Sequence, residues 1–393
     1  VWEQGLSVAL SDGINADVAL TTGAKREMLG RLAGLLERQG IDVDEIGKVQ
    51  RVSLYQTLTK NNETNEAETH DLMAIQFSPA WESGPEWQPV DRGPAIKMPA
   101  VKAQKQKTGW DTAVVVPDAQ IGFFRLSDGS LEPTHDERAI SVALSIIKDA
   151  QPSLIVLVGD NLDFPEFSGK FRLTPAFAYT TQASIDRATV LCAQLRSVAP
   201  DARIVWLAGN HEERLPRLLL DNAKAAYGIR RGDDPESFPV MSVPYLCRMD
   251  EFGVEFMPGY PASHVWITER LQVIHGDKVA SGGSTAHKYL STSKTSVVYG
   301  HIHRREWAER TRDDHDGPRT ILAASPGCLC RVDGVVPSTK QGVDLDGRPL
   351  RRTEDWQQGL AVIPFDNETG NFVYEQIAIR DGWAMWRGVE YRA

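Results

Sequence analysis

From Asp111 onward the chain alternates short apolar runs with longer stretches of helical spacing. Val114-Val115-Val116, Leu154 to Val158 and Ile204 to Leu207 are too short for helices and apolar throughout, as buried strands are. Residues 136 to 149 and 182 to 198 place apolar residues three and four apart, which predicts amphipathic helices. The order strand, helix, strand, helix, strand predicts a layered α/β domain. Leu271 to Ile274 and Val297 to Tyr299 read as further buried strands.

Upstream the pattern differs. Met28, Leu29, Leu32, Leu35 and Leu36 give residues 24 to 38 a helical spacing, Gly40 is a plausible stop, and Val43 to Ile46 forms a short second element. Such a pair is either a small packing unit or a DNA-binding helix-turn-helix. Its shortness and the absence of a basic second helix favour packing. Val52, Leu54 and Leu58, then Met73, Ile75 and Phe77, alternate with polar residues around the turn-rich Asn61 to Asn65, which predicts a β-hairpin. Residues 79 to 108 hold five prolines and two tryptophans without a period, as an extended linker would. The expected organisation is an α+β appendage over 1–78, a linker over 79–108 and a catalytic domain over 109–393.

Composition narrows this picture. A chain of 393 residues, 41% hydrophobic and 24% charged, has room for one large domain and an appendage. A net charge of -10 argues against a broad nonspecific nucleic-acid surface, though not against a local basic groove or a metal site. Cys192, Cys247, Cys328 and Cys330 form no C-x-x-C pair, so reduced structural thiols are expected. Cys328 and Cys330 on one strand would be too close for a relaxed disulfide. No apolar run approaches the ~20 residues that span a bilayer. The expectation is a soluble, cytoplasmic protein without a membrane partner.

The chemistry sits where the strands end. Pro117-Asp118-Ala119-Gln120 follows the first strand, and Gly159-Asp160-Asn161-Leu162-Asp163 the second. Gly209-Asn210-His211-Glu212, His275-Gly276-Asp277 and Gly300-His301-Ile302-His303 follow the next three. α/β sheets assemble their sites at this edge. Two divalent ions ~3.5–4 Å apart can bind phosphoryl oxygens and acidify an attacking water, and they need a bridging carboxylate with nitrogen and oxygen ligands around it.

Together these motifs resemble the calcineurin-like metallophosphoesterase superfamily, whose pattern runs D-x-H, G-D-x-x-D, G-N-H-E/D, H and G-H-x-H. The match spans roughly residues 112 to 303, and four of five motifs are intact. It implies a four-layer α/β/β/α sandwich. It also implies Asp118, Gln120 and His303 on a first metal, Asp160 bridging, and Asn210, His275 and His301 on a second. His211 would protonate the leaving oxygen or stabilise the phosphoryl charge, Asp163 would orient a histidine, and Arg214 would reach a phosphate. Gln120 stands where the family usually has histidine. Its amide oxygen is a harder ligand, which favours Mn²⁺ over Zn²⁺, with Fe²⁺ and Mg²⁺ as further candidates. The Gly-Asn-His-Glu-Glu-Arg-Leu run and the appendage resemble bacteriophage-encoded members.

The implied reaction is hydrolysis of a phosphate ester. Aromatic residues over 161–181 and 226–266, together with Arg304 and Arg305, favour a phosphodiester of a nucleotide or nucleic acid, hence a nuclease. A phosphomonoesterase and an inactive metal-binding domain tethered to a DNA-binding module are the alternatives. Asp277 and Lys278 are candidate substrate contacts, and His287 is a further candidate because Gly282-Gly283-Ser284 upstream of it makes a flexible loop near His275. Glu212 and Glu213 are expected to cap the helix beyond His211. Self-association is left open.

Overall fold

The computed structural model describes residues 109–169, 175–315, 317–337 and 353–393, the backbone of 46–60 and 67–79, and the single residues Gly34, Arg38 and Gly40. The chain divides into two compact units, Val1–Ala95 and Ile96–Ala393. In the first, β1 (Ile46–Lys60) and β2 (Ala67–Pro79) form the expected hairpin, with Val52 opposite Ile75 and Leu54 opposite Met73. Ile46, expected to close a short second element, instead opens β1. Most of the helix expected over 24–38, residues 43–45 and the linker beyond Pro79 lie outside the described residues.

The second unit begins with β3 (Asp111–Val116), a ribbon of β4 (Phe123–Arg125) and β5 (Leu131–Pro133), and α1 (Glu137–Ala150). Next come β6 (Leu154–Leu157), α2 (Thr181–Val198), β7 (Arg203–Leu207), α3 (Arg214–Asn222), the short α4 (Val243–Leu246) and β8 (Val254–Met257). Then follow β9 (His264–Thr268), β10 (Leu271–Ile274), α5 (Thr285–Thr292) and β11 (Ser296–Tyr299). The unit ends with the strands β12 (Arg305–Asp314), β13 (Gly317–Pro326), β14 (Gly359–Phe365), β15 (Glu375–Arg380), β16 (Trp383–Trp386) and β17 (Val389–Arg392). They make an eight-stranded sheet, ordered β17-β16-β15-β14-β3-β6-β7-β8, and a five-stranded sheet, β12-β13-β11-β10-β9.

Period-two alternation explains how the layers stack. Val115, Val156, Val205 and Leu207 of the large sheet share one core with Val265, Leu271, Val273 and Val298 of the small one. The intervening residues Val114, Val116, Ile155, Leu157, Ile204 and Trp206 face the other way, into a core with α1 and α2. On the far side of the small sheet, Ala286, Tyr289 and Leu290 of α5 pack on Val297, Tyr299 and Ile321. The fold is therefore the expected four-layer α/β/β/α sandwich. Buried Val, Leu and Ile side chains contribute about 1.5–3 kcal/mol each, so both inner faces hold the strands in register.

Local signals agree with these boundaries. Asp136 caps α1, its side chain accepting from the Arg138 and Ala139 N–H groups, and Gln151 ends the helix in the left-handed region. All four cysteines are buried and free, as expected. Among the described residues no helix is long and apolar enough to cross a membrane.

Candidate metal centre

Strands β3, β6 and β7 run parallel, as do β10 and β11, so each group presents its C-terminal ends along one edge. The loops leaving those ends converge. Two groups of potential ligands form, Asp160 with His275 and His301, and Asp118 with Asp160 and His303. Within each group the ligand atoms lie within 4.8 Å of one another, and Asp160 belongs to both. Gln120 and Asn210 stand beside them, on opposite groups. The Gln120 amide nitrogen is 3.3 Å from His303 Nε2, and Asn210 Oδ1 is 3.2 Å from His275 Nε2.

Backbone strain marks the same positions. Gln120, Asp160, His301 and His303 adopt φ values of 50°, 49°, 70° and 57°. Side-chain-bearing residues rarely enter this region, and such strain collects at functional sites. The neighbouring glycines make room for it. A Cβ on Gly209 would lie 2.2 Å from Asp160 Oδ1, and one on Gly300 would lie 2.5 Å from Asp118 Oδ2.

The polar atoms fit a cation. His275 Nδ1 donates to the Val158 carbonyl at 2.8 Å, which leaves Nε2 as an electron-pair donor. That nitrogen faces Asp160 Oδ2 at 3.3 Å and Asn210 Oδ1 at 3.2 Å. Three donors converging this closely need a proton or a metal ion between them. Burial opposes protonation of His275, but Asp160, Asp118 and Glu212 outweigh it and raise its pKa to about 9. The same negative field would draw in a divalent cation. Asp118 Oδ2, Gln120 Oε1 and His301 Nδ1 are buried without a hydrogen-bond partner. Burial, and then His275, lower the His301 pKa to about 4, so its neutral, ligand form dominates. Burial alone would raise the Asp160 pKa, but His211 and His275 hold it well below the usual carboxylate range.

The remaining site candidates form a second group. His211 Nδ1 lies 3.1 Å from Asp163 Oδ1, an ion-pair distance without hydrogen-bond alignment. His211 Nε2 accepts from Arg214 at 2.8 Å, and Arg214 also donates to the Asp163 carbonyl. A guanidinium only donates, so the His211 proton resides on Nδ1. Arg214 is thus held by His211 and Asp163.

Glu212 departs from expectation. Neither Glu212 nor Glu213 caps α3, since Glu213 at its N-cap makes no side-chain hydrogen bond. Glu212 is instead 2% exposed and accepts five hydrogen bonds, from the Asp160, Asn161, Leu162 and Gly209 N–H groups and the Trp206 indole. One carboxylate thereby ties the loop after β6 to the loop after β7. Burial, then Asp160, push its pKa up, while the Gly209 N–H pulls against them.

A cleft of about 510 Å³ opens over the centre, lined by Gln120, Asp160, Asn210, His211, His301 and His303 and walled by Phe167, Arg217, Leu218 and Trp356. Size alone does not mark the site. A larger groove of about 980 Å³, lined by Trp307, Arg319 and Tyr374, contains none of these donors. Of the aromatics expected over 161–181, only Phe167 lines the cleft among the described residues. Phe164 is buried beneath it, Phe177 packs on Phe124, and Phe171 lies outside the described residues. In the segment 226–266, the Tyr260 ring meets His275 edge-on at 5.5 Å, outside the cleft lining. Phe252 and Phe256 pack into the core instead.

Other candidates fall away from the cleft. Arg304 donates to the Ala280 carbonyl, Arg305 is half-buried beside Gly327 and Gly359, and neither lines the cleft. Lys278 donates to Thr292 and lies over the Tyr289 ring, and His287 is exposed on α5. Sequence reasoning missed Arg217 and Trp356, whose ring stands 4.2 Å from that of His303. It also missed Cys330, whose sulfur lies 3.9 Å from His303 Nδ1. No local motif announces them.

No family model matches the chain. It is similar to the Gene 54 protein of Mycobacterium phage L5, at 24% identity over 262 residues, covering 65% of this chain and 89% of that protein. The Gene 54 protein of Mycobacterium phage D29 is 25% identical over 272 residues, covering 67% and 91%. Among solved structures, Yfce, described as a phosphoesterase from E. coli, aligns with 68% of this chain and 100% of its own at 12% identity and a TM-score of 0.27. An overlap that loose carries no residue correspondence, so the site stands on its own geometry.

Proposed function

We propose that the chain is a phosphoesterase of the calcineurin-like type, hydrolysing a phosphodiester of a nucleotide or nucleic acid at two divalent ions, with Mn²⁺ favoured. The observation that carries this reading is the sharing of Asp160 between two groups of ligands. A shared carboxylate is what a bridged metal pair requires. Asp118, Gln120 and His303 would hold one ion, and Asn210, His275 and His301 the other. When bound, the ions supply positive charge for the phosphoryl oxygens and acidify an attacking water.

The chain's own residues do the rest. Arg214, fixed by His211 and Asp163, presents a guanidinium at the cleft wall, where charge develops on the phosphoryl group. Because its proton resides on Nδ1, His211 can pass a proton from Nε2 to the leaving oxygen only once Arg214 releases that nitrogen and it takes up a proton from solvent. Phe167 and Trp356 offer surfaces on which a base can stack. This favours a nucleotide-bearing diester over a small monoester.

The test is turnover of bis-p-nitrophenyl phosphate against p-nitrophenyl phosphate with Mn²⁺ present. The expected result is a preference for the diester, with loss of activity in Asp160→Ala and His211→Ala. Preference for the monoester would overturn the diester reading, and undiminished activity in both variants would overturn the site.

A further inference from the structure

We propose that Arg217 forms an anion subsite beside the metal centre, which takes a second phosphate of an oligonucleotide substrate. The proposal rests on the phosphodiester reading above and goes one step further, to the length of the substrate. Arg214 and Arg217 stand three residues apart on α3, near enough to share one face, and both line the cleft. Their circumstances differ. The Arg214 side chain is 10% exposed and engaged with His211 and Asp163. Arg217 is exposed, its backbone N–H donates to the Glu213 carbonyl within the helix, and its guanidinium acts on the Tyr260 hydroxyl through its field. Asp221, a turn further along α3, lines the same cleft. The chain's net charge of -10 works against an anion approaching from solution, so one that enters the cleft needs a local cation, and Arg217 stands at the wall to supply it.

An isolated diester presents one phosphate, which the metal centre and Arg214 would engage. A strand of nucleotides presents the next phosphate as well, with bases free to stack on Phe167 or Trp356. Among the described residues lining the cleft, Arg217 is the guanidinium left to meet that phosphate. The subsite therefore selects oligonucleotides over isolated diesters.

The experiment is calorimetric binding of thymidine dinucleotide (one phosphate) and trinucleotide (two phosphates) to the full chain with Mn²⁺. The His211→Asn background slows cleavage, and thermal melting checks that each variant folds. With Arg217 present, the trinucleotide is expected to bind about tenfold tighter, the size of one charge-assisted contact. Arg217→Ala should reduce this gain to less than about twofold, and Arg217→Lys should restore part of it. A gain that persists in Arg217→Ala comes from base stacking and overturns the subsite, as does equal or absent binding of both ligands. Turnover of bis-p-nitrophenyl phosphate by the wild-type chain separates the two claims. Its absence alongside Arg217-dependent binding sinks the enzymatic reading alone, whereas turnover without that dependence sinks the subsite alone.

Discussion

At the residue scale the site depends on carboxylates doing different work in one small volume. Asp160 faces His275 and accepts the backbone N–H of His211, so its charge is directed at the candidate ligand cluster and the loop beside it. Glu212, equally buried, spends its charge on five N–H donors and shapes the loops that carry Asp160 and Asn210. Glu212→Gln keeps the shape but turns an NH₂ group toward donors such as the Gly209 and Asp160 N–H. We expect a loss of about 2–4 kcal/mol in urea unfolding, as buried donors lose their acceptor. Mn²⁺ affinity should fall with it, because the loops lose their tie. A variant within about 0.5 kcal/mol of wild type would show that the five bonds do not hold the loops.

At the element scale, α1 and α2 are joined at their solvent edge by Glu137, which meets Arg187 with both carboxylate oxygens and the buried His135 with one. Half-burial alone would raise the Glu137 pKa, but Arg187 and His135 outweigh it and hold the carboxyl well below the usual range. A lowered folded pKa contributes stability above the ordinary glutamate pKa, near 4.5, and that stability is lost as the pH falls toward the folded value. Because the Glu137 side chain is 47% exposed, solvent screening limits the effect to about 1 kcal/mol. Glu137→Gln should therefore unfold more easily than wild type at pH 7, with the gap closing below about pH 4. A pH-independent gap in urea midpoints would assign the difference to packing. The same scale shows what the sequence could reveal. β3, β6, β7, β10 and β11 carry short, mostly apolar runs rich in Val, Ile and Leu because both faces are largely covered, and each is followed by its ligand motif. β12 was not legible, since Arg305–Asp314 is a mostly exposed, highly charged edge strand with little apolar alternation. The Glu212 bonds were hidden because most of their donors come from a loop 50 or more residues away. Trp356 reaches His303 across a comparable separation.

At the scale of the whole molecule, the two sheets serve as one frame. Their shared core fixes the large sheet against the small one, and that packing brings Asp118, Asp160 and Asn210 to His275, His301 and His303. The candidate metal centre is thus a product of sheet-on-sheet packing, with four of the proposed ligands, Asp118, Gln120, Asp160 and Asn210, following strands of the large sheet and three, His275, His301 and His303, following strands of the small one. The central claim is that Asp160 holds two ions, and ion counting tests it most directly. Calorimetry with Mn²⁺ on the whole chain, checked by elemental analysis after desalting, should give two ions per chain for wild type. Asp160→Ala, with its fold verified by circular dichroism, should lose both. A single ion in wild type, or two ions retained in Asp160→Ala, would contradict the account.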